Sequence, residues 1–330
     1  IDAAGTATID VDLTVHAHLI DDAELSGIAD LLDQADQDCV DADGVSRATR
    51  RRDVGGGEDG AALLHALLSD LDVLVRVFGE VDAVRANDPD ERLTVPKQKS
   101  LEAVTYLGLR DTRVDREDLQ AALWPAGANS AKTFHNTIWA ARKMLAQDRD
   151  GAELLPEPLE GHYQLNDRVG TDYGLFHELM ARAEEIDDPL GAADLLAAAL
   201  SLVRGEPFMG VGRGYAWAAP HAGLIVAQVV DAAEELAEIR LAAGDWRGAE
   251  WAARQGLRVF PCEERLYRLL MRAAHSAGSV PGVHRAFQEL AAAVADPDDG
   301  VEPDDTLHPE TVALLEELTG PRPRADRASA

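Results

Sequence analysis

The chain has 330 residues, too many for one small domain, and its 46% hydrophobic content is ample for packed cores. With 31 basic residues against 60 acidic ones its net charge is -29, which argues against a protein that coats nucleic acid or binds an anionic membrane, since both work by neutralising phosphate. Two distant cysteines, Cys39 and Cys262, with no Cys-x-x-Cys pair, exclude a disulfide framework and a structural zinc site and suit a reducing compartment.

In chain order, Thr6–Asp10 and Leu13–Leu19 alternate polar and apolar residues around a short turn, the pattern of a hairpin. Asp21 or Asp22 then caps a helix carrying Leu25, Ile28, Leu31 and Leu32 at helical spacing. Three such elements cannot enclose a core, so residues 1–38 are expected to be the end of an upstream α/β domain or a docked flap. The first residue is Ile rather than Met, and no signal peptide follows, so a fragment of a longer chain is expected. Residues 39–70 read as a flexible linker, with three glycines at 55–57, followed by a short helix from Ala61 to Leu71. The run Arg50–Arg52 reads as solvated rather than as a phosphate-binding arm.

Residues 71–168 give the order strand, helix, helix, helix, hairpin. DVLVRVFGEVDAV is a β-branched strand region, Leu93–Val95 a short strand, and Pro96 marks a helix start. Leu101, Val104, Leu107 and Leu109 form the apolar face of the first helix. Asp115 caps the second, which turns Leu119, Leu123 and Trp124 inward. SAKTFHNTIWAARKML is the third, and ELLPEPLEGHYQLN gives two short strands about a turn, the shape of a wing.

Residues 169–320 read as one domain, helical from Asp172 to about Leu318. Gly244 and Gly278 lie 34 residues apart, and superposing them puts Trp246 on Val280, Ala249 on Val283, Ala253 on Phe287 and Gly256 on Leu290. That period is the tetratricopeptide one, two helices to a unit. Small residues at Ala249, Ala252 and Ala253 predict a close helix–helix approach. PLGAADLLAAALSLV fits the same template ahead of an irregular insert, RGEPFMGVGRGYAWAAP, and residues 321–330 read as a disordered tail. The acidity is uneven: residues 171–320 hold 26 acids and 11 bases, but residues 71–170 hold 17 and 13, so the middle segment is the one suited to nucleic acid.

No chemistry-bearing constellation emerges. No lysine follows a glycine-rich turn as in a phosphate-binding loop, and the alternating glycines of GVGRG do not join a strand to a helix. His16 and His18 lack the further ligands a metal needs. The expectation is a protein that is not an enzyme, with no cofactor, no metal and no small-molecule substrate. The third helix is the informative element. Phe134, Ile138, Ala141 and Leu145 form its buried stripe, while Lys132, Asn136, Trp139 and Lys143 share another face with His135 and Arg142 beside them. Those side chains carry the donors that contact base edges and phosphates, whereas an indole on such a face points to contact with protein.

The runs LTVPKQKSLEAVTYLGL, VDREDLQAALWP, SAKTFHNTIWAARKML and EGHYQLN resemble the winged helix of response-regulator type. LSLVRGEPF, the Gly244–Asp245 turn and EERLYRLLMRAAHSAGS resemble the bacterial transcriptional activator domain. In this order, over about residues 72–318, the pair is similar to the antibiotic-regulatory activator (SARP) family of actinobacteria. GRGYAWAAP looks closest to a subgroup whose long chains also carry membrane segments and a LysM domain. The resemblance implies a mainly α fold: winged helix-turn-helix, then a tetratricopeptide-like domain, with a small N-terminal α/β segment. It implies duplex DNA as a partner, with the third helix in the major groove and the wing in the minor groove, and RNA polymerase or another protein as a second partner.

Carried over by position, the DNA-contacting candidates are Lys132, His135, Asn136, Trp139, Arg142, Lys143, Arg116 and His162. His135 and Asn136 stand where the family usually has Arg and a small polar residue, and Trp139 and Ala140 where it often has Ser and Arg. The alternative is a winged helix that has drifted to protein binding, as part of a scaffold or the sensing region of a membrane-anchored chain. Trp139, Tyr215 and Trp217 are its candidate contacts, and a homodimer is a further partner. Trp139 is expected to be covered, by the Tyr215–Trp217 insert, the N-terminal segment, a second copy or another protein. The fragment is expected in the cytoplasm.

Overall fold

The computed structural model describes residues 59–127, 130–295 and 307–320. The readings for residues 1–58, His16 and His18 among them, and for the tail at 321–330 lie outside these.

The first described helix, α1 (Gly60–Asp70), is capped by Asp59, whose carboxylate accepts the Ala61 N–H. A four-stranded sheet follows in the order β3-β2-β1-β6, made of β1 (Val73–Arg76), β2 (Asp82–Arg85), β3 (Asp88–Arg92) and β6 (Val169–Thr171). β1 and β2 pair antiparallel with Leu74 opposite Val84, and β1 and β6 pair parallel with Leu74 opposite Gly170. Alternation along β1 sends Val73 and Val75 into the main core, while Leu74 joins Val84 on the other face beneath Leu64, Leu67 and Leu68 of α1. The third strand therefore runs through the charged Asp88–Arg92, not through Leu93–Val95, because the turn after β2 fixes its register before the apolar residues arrive.

The three winged-helix helices are α2 (Gln98–Gly108), α3 (Arg116–Leu123) and α4 (Ala131–Leu145). A two-stranded sheet joins β4 (Val114–Asp115) to β5 (His162–Tyr163). α2 starts at Gln98, two residues after Pro96, and buries Leu101, Val104 and Leu107. Asp115 caps α3, accepting the Glu117 N–H, and Leu119 and Leu123 are fully buried. The expected two-stranded wing is slighter than the sequence suggests: Leu159 and His162 pair about a tight turn at Glu160–Gly161, both with positive φ.

The helical part comprises α5 (Asp172–Glu184), α6 (Pro189–Ser201), α7 (Ala219–Ala242), α8 (Trp246–Gly256), α9 (Glu264–Ser276), α10 (Val280–Val294) and α11 (Pro309–Thr319). The helices pack as pairs, α5 on α6, α7 on α8 and α9 on α10, with α1 against α6. The 34-residue spacing is structural. Gly244 and Gly278 both take a left-handed backbone at the end of a helix (φ +79° and +72°). Asp245 and Ser279 then cap α8 and α10 by accepting the N–H of Gly248 and of Gly282. Ala249 and Val283, superposed by that shift, are both completely buried. Among the described residues no helix is long and apolar enough to cross a membrane.

Candidate DNA and protein interface

α4 is positioned by its apolar stripe. Phe134, Ile138, Ala141, Met144 and Leu145 are buried, and Ser130 caps the helix by accepting the Thr133 N–H at 3.2 Å. The opposite face is open to solvent: Lys132, His135, Asn136, Trp139 and Lys143 are all exposed, and the Lys143 ammonium lies 5.3 Å from the centre of the Trp139 ring. Ala140 is turned into the core.

Arg142 is placed differently from its neighbours. Its Nε donates to the Leu155 carbonyl at 3.0 Å and its Nη2 to the Pro156 carbonyl at 3.0 Å, and Nη1 meets the Glu157 carboxylate. The guanidinium thus ties the base of the wing to α4 and is committed within the chain. Arg116, the first residue of α3, is exposed with its guanidinium 5.0 Å over the Phe134 ring. His162 stands half-exposed, its Nε2 3.9 Å from the Asp115 carboxylate that caps α3. The wing itself is acidic: between Ala152 and Asp167 there is no Lys or Arg, and Glu157 and Glu160 are exposed beside Leu159, itself 56% exposed.

Tyr215 and Trp217 do not reach this face. Tyr215 is buried and Trp217 half-buried, and Trp217 meets the Tyr106 ring of α2 edge-on at 5.0 Å between centres. Phe208 and His221 complete the cluster at 6.1 and 6.2 Å from Trp217. Both aromatics are therefore spent on an internal joint between α2 and the helical domain. Trp139 is correspondingly not covered by this insert, being 57% exposed among the described residues.

The joint has polar members that sequence reasoning missed. Glu102 of α2 is only 2% exposed and pairs with Lys99 at 2.7 Å. Burial pushes its carboxyl above the usual range, while Lys99 and the nearby Trp217 indole pull it back. The Trp217 N–H nonetheless makes no hydrogen bond of good geometry. Asp172, at the start of α5, accepts the N–H groups of Val77 at 2.8 Å and Phe78 at 3.2 Å, which fastens the end of β1 to the helical domain. The insert continues that seam, with Phe208 N–H donating to the Val77 carbonyl and Gly79 N–H to the Glu206 carbonyl. An acid opening a helix just after a strand is a visible signal; its distant partners are not.

With this geometry the relatives can be placed. Residues 171–315 match the family model of the bacterial transcriptional activator domain. Mycobacterium tuberculosis EmbR, solved in complex with a low-affinity phosphopeptide, has a similar fold, with a TM-score of 0.54 at 21% identity over 75% of this chain. This chain spans 65% of the EmbR chain. A search of curated proteins found no match. The activator-domain family is thus matched by the helical segment, and the likeness to EmbR is one of fold. Among the described residues no group of three His, Cys, Asp or Glu side chains could hold a metal ion.

Proposed function

We propose that the protein regulates transcription by laying the exposed face of α4 against duplex DNA while its activator domain contacts RNA polymerase or another protein. The observation that carries the reading is the division of α4 itself: one face is locked in the core and the other presents Lys132, Asn136 and Lys143 to solvent. Because Arg142 is committed to the wing, the cations left for phosphate are Lys132, Lys143 and Arg116. Three such contacts release about three counterions, so log K should fall with log salt with a slope of about −2.7. An anisotropy titration of random and defined duplexes over a salt series tests this. The double variant Lys132→Ala/Lys143→Ala should flatten the slope by about 2. An absence of binding at low salt would remove DNA from the reading.

A second reading is favoured by the wing. Glu157 and Glu160 repel a phosphate backbone, and Leu159 and Trp139 are large apolar side chains left in water, as in surfaces that bind protein. A protein partner for this face is the outcome that failure of the duplex titration would promote. That partner could be a second copy of the chain. The DNA reading carries with it a location in the cytoplasm, where duplex DNA is found.

A further inference from the structure

We propose that the groove bounded by α1, α6 and α8 is a docking site for a basic, amphipathic helix of a partner protein. This gives the protein contact of the activator domain a place, and it rests on that part of the reading above without involving α4. The groove has a volume of about 620 Å³. Its floor is apolar, from Leu64 and Leu68 on α1 and Ala197 and Ala198 on α6, with the Trp251 indole as one wall.

Three observations single it out. First, α1 is held tightly yet covered poorly. Gly60 sits so close to the Asp194 backbone that any side chain there would collide, but Leu63, Leu64, Leu67 and Leu68 all remain only half-buried. A helix with four leucines in that state has apolar surface to spare. Second, Trp251 breaks the repeat. The 34-residue shift places it on Arg285, and the superposed helix needs no indole there, yet Trp251 is 39% exposed at the groove wall. Third, the charge of the lining is one-sided. Asp59 and Asp194 line the groove beside His65, and no Lys or Arg does among the described residues. Asp194 stays half-exposed although Arg240 reaches it at 2.9 Å.

These features specify the occupant. An eleven-residue α1 offers a groove about 16 Å long, enough for about three helical turns. Apolar side chains at positions i and i+4 would meet Leu64, Leu68 and Trp251, and Lys or Arg on the flanks would meet Asp59 and Asp194. An acidic helix would bring its carboxylates against those two aspartates, so the groove discriminates by charge as well as by shape.

The test uses the full 330-residue chain and a labelled Lys/Leu peptide of about 14 residues with its leucines on one helical face. A scrambled peptide of the same composition controls for attraction to an acidic protein. At about 150 mM salt the amphipathic peptide should bind about tenfold more tightly than the scrambled one. Trp251→Arg, which installs the residue of the other repeat, should abolish that preference. Ser201→Arg, which puts a cation at the groove edge, should weaken binding about fivefold. Both positions are exposed, and circular dichroism confirms the fold of each variant.

Equal binding of the two peptides, or indifference to both substitutions, overturns the proposal. So does self-association of the chain that Trp251→Arg abolishes, since the groove would then hold a second copy. Duplex binding measured on the same variants should be unchanged, so failure at the groove and failure of the DNA reading are separately visible.

Discussion

Replacing Arg142 separates a reading residue from a supporting one. If Arg142 contacted phosphate, Arg142→Ala would reduce the salt slope for duplex by about 0.9 and leave stability alone. Its geometry predicts the reverse. The half-buried guanidinium donates to two carbonyls, of Leu155 and Pro156, and hydrogen bonds from a charged donor are each worth about 1.5–3 kcal/mol. The third partner, Glu157, is 82% exposed, so its ion pair adds at most about 0.5 kcal/mol after solvent screening. Some of the loss is recovered because Pro156 is exposed and water can reach its carbonyl, whereas Leu155 is buried and its carbonyl would be left short of a partner. We therefore expect a loss of about 2 kcal/mol, concentrated in the segment between α4 and β5. Urea denaturation gives the total, and amide exchange at Leu155, Glu157 and Leu159 locates it. Arg142→Lys should recover less than half, because an ammonium cannot make the same fork of contacts. Unchanged stability together with a shallower salt slope would refute the assignment of Arg142 to the wing and return it to DNA.

Other outcomes follow from other parts of the molecule. Ala249→Leu should overpack the completely buried position in α8 and cost about 1–3 kcal/mol, seen as a lower Tm; an unchanged Tm would make the 34-residue correspondence accidental. His221 has its pKa lowered in the fold by burial and then by Arg110, so below about pH 6.5 the unfolded chain takes up the proton more readily and stability is lost as pH falls. The stability advantage of the protein over His221→Gln should shrink between pH 7.5 and 5.5, measured by denaturation at each pH. In a variant retaining only Trp139 among the five tryptophans, acrylamide should quench the free protein freely and quench it less once duplex or a protein partner is added. Protection in the free chain would show that something already covers the indole.

What the sequence made legible was whatever depends on neighbours in the chain. The Phe134–Leu145 stripe, the Asp115 cap and the paired glycines at 244 and 278 are local signals, and each produces the element its spacing implies. Register and long-range pairing were not legible. β6 lies about a hundred residues from β1 and is three residues long, too short for its pattern to announce a parallel partner. β3 is made of charged residues whose strand conformation comes from pairing rather than propensity. At the candidate site the exposed face of α4 could be read from helical spacing. The diversion of Arg142 could not, since the same residue serves equally well as a phosphate ligand or as a clasp for a loop. Tyr215 and Trp217 looked like surface aromatics because the insert has no regular pattern, and only the fold shows Tyr106 waiting opposite.

β6 has a double membership with a consequence for how such proteins change over generations. Val169–Thr171 forms the edge of the sheet that supports the winged helix, and Thr171 is also the residue that caps α5, the first helix of the activator domain. Asp172, next along, holds the end of β1. A break in the gene on either side of this tripeptide would therefore strip one product of a strand or the other of its first cap, and leave Val77 and Phe78 with unanswered amides. Exchange between genomes can move the two halves safely only together. The order of winged helix and helical domain in this chain is then a matter of shared carpentry, and change is tolerated more readily on the outer faces of α4 and of the helical repeats than at the seam.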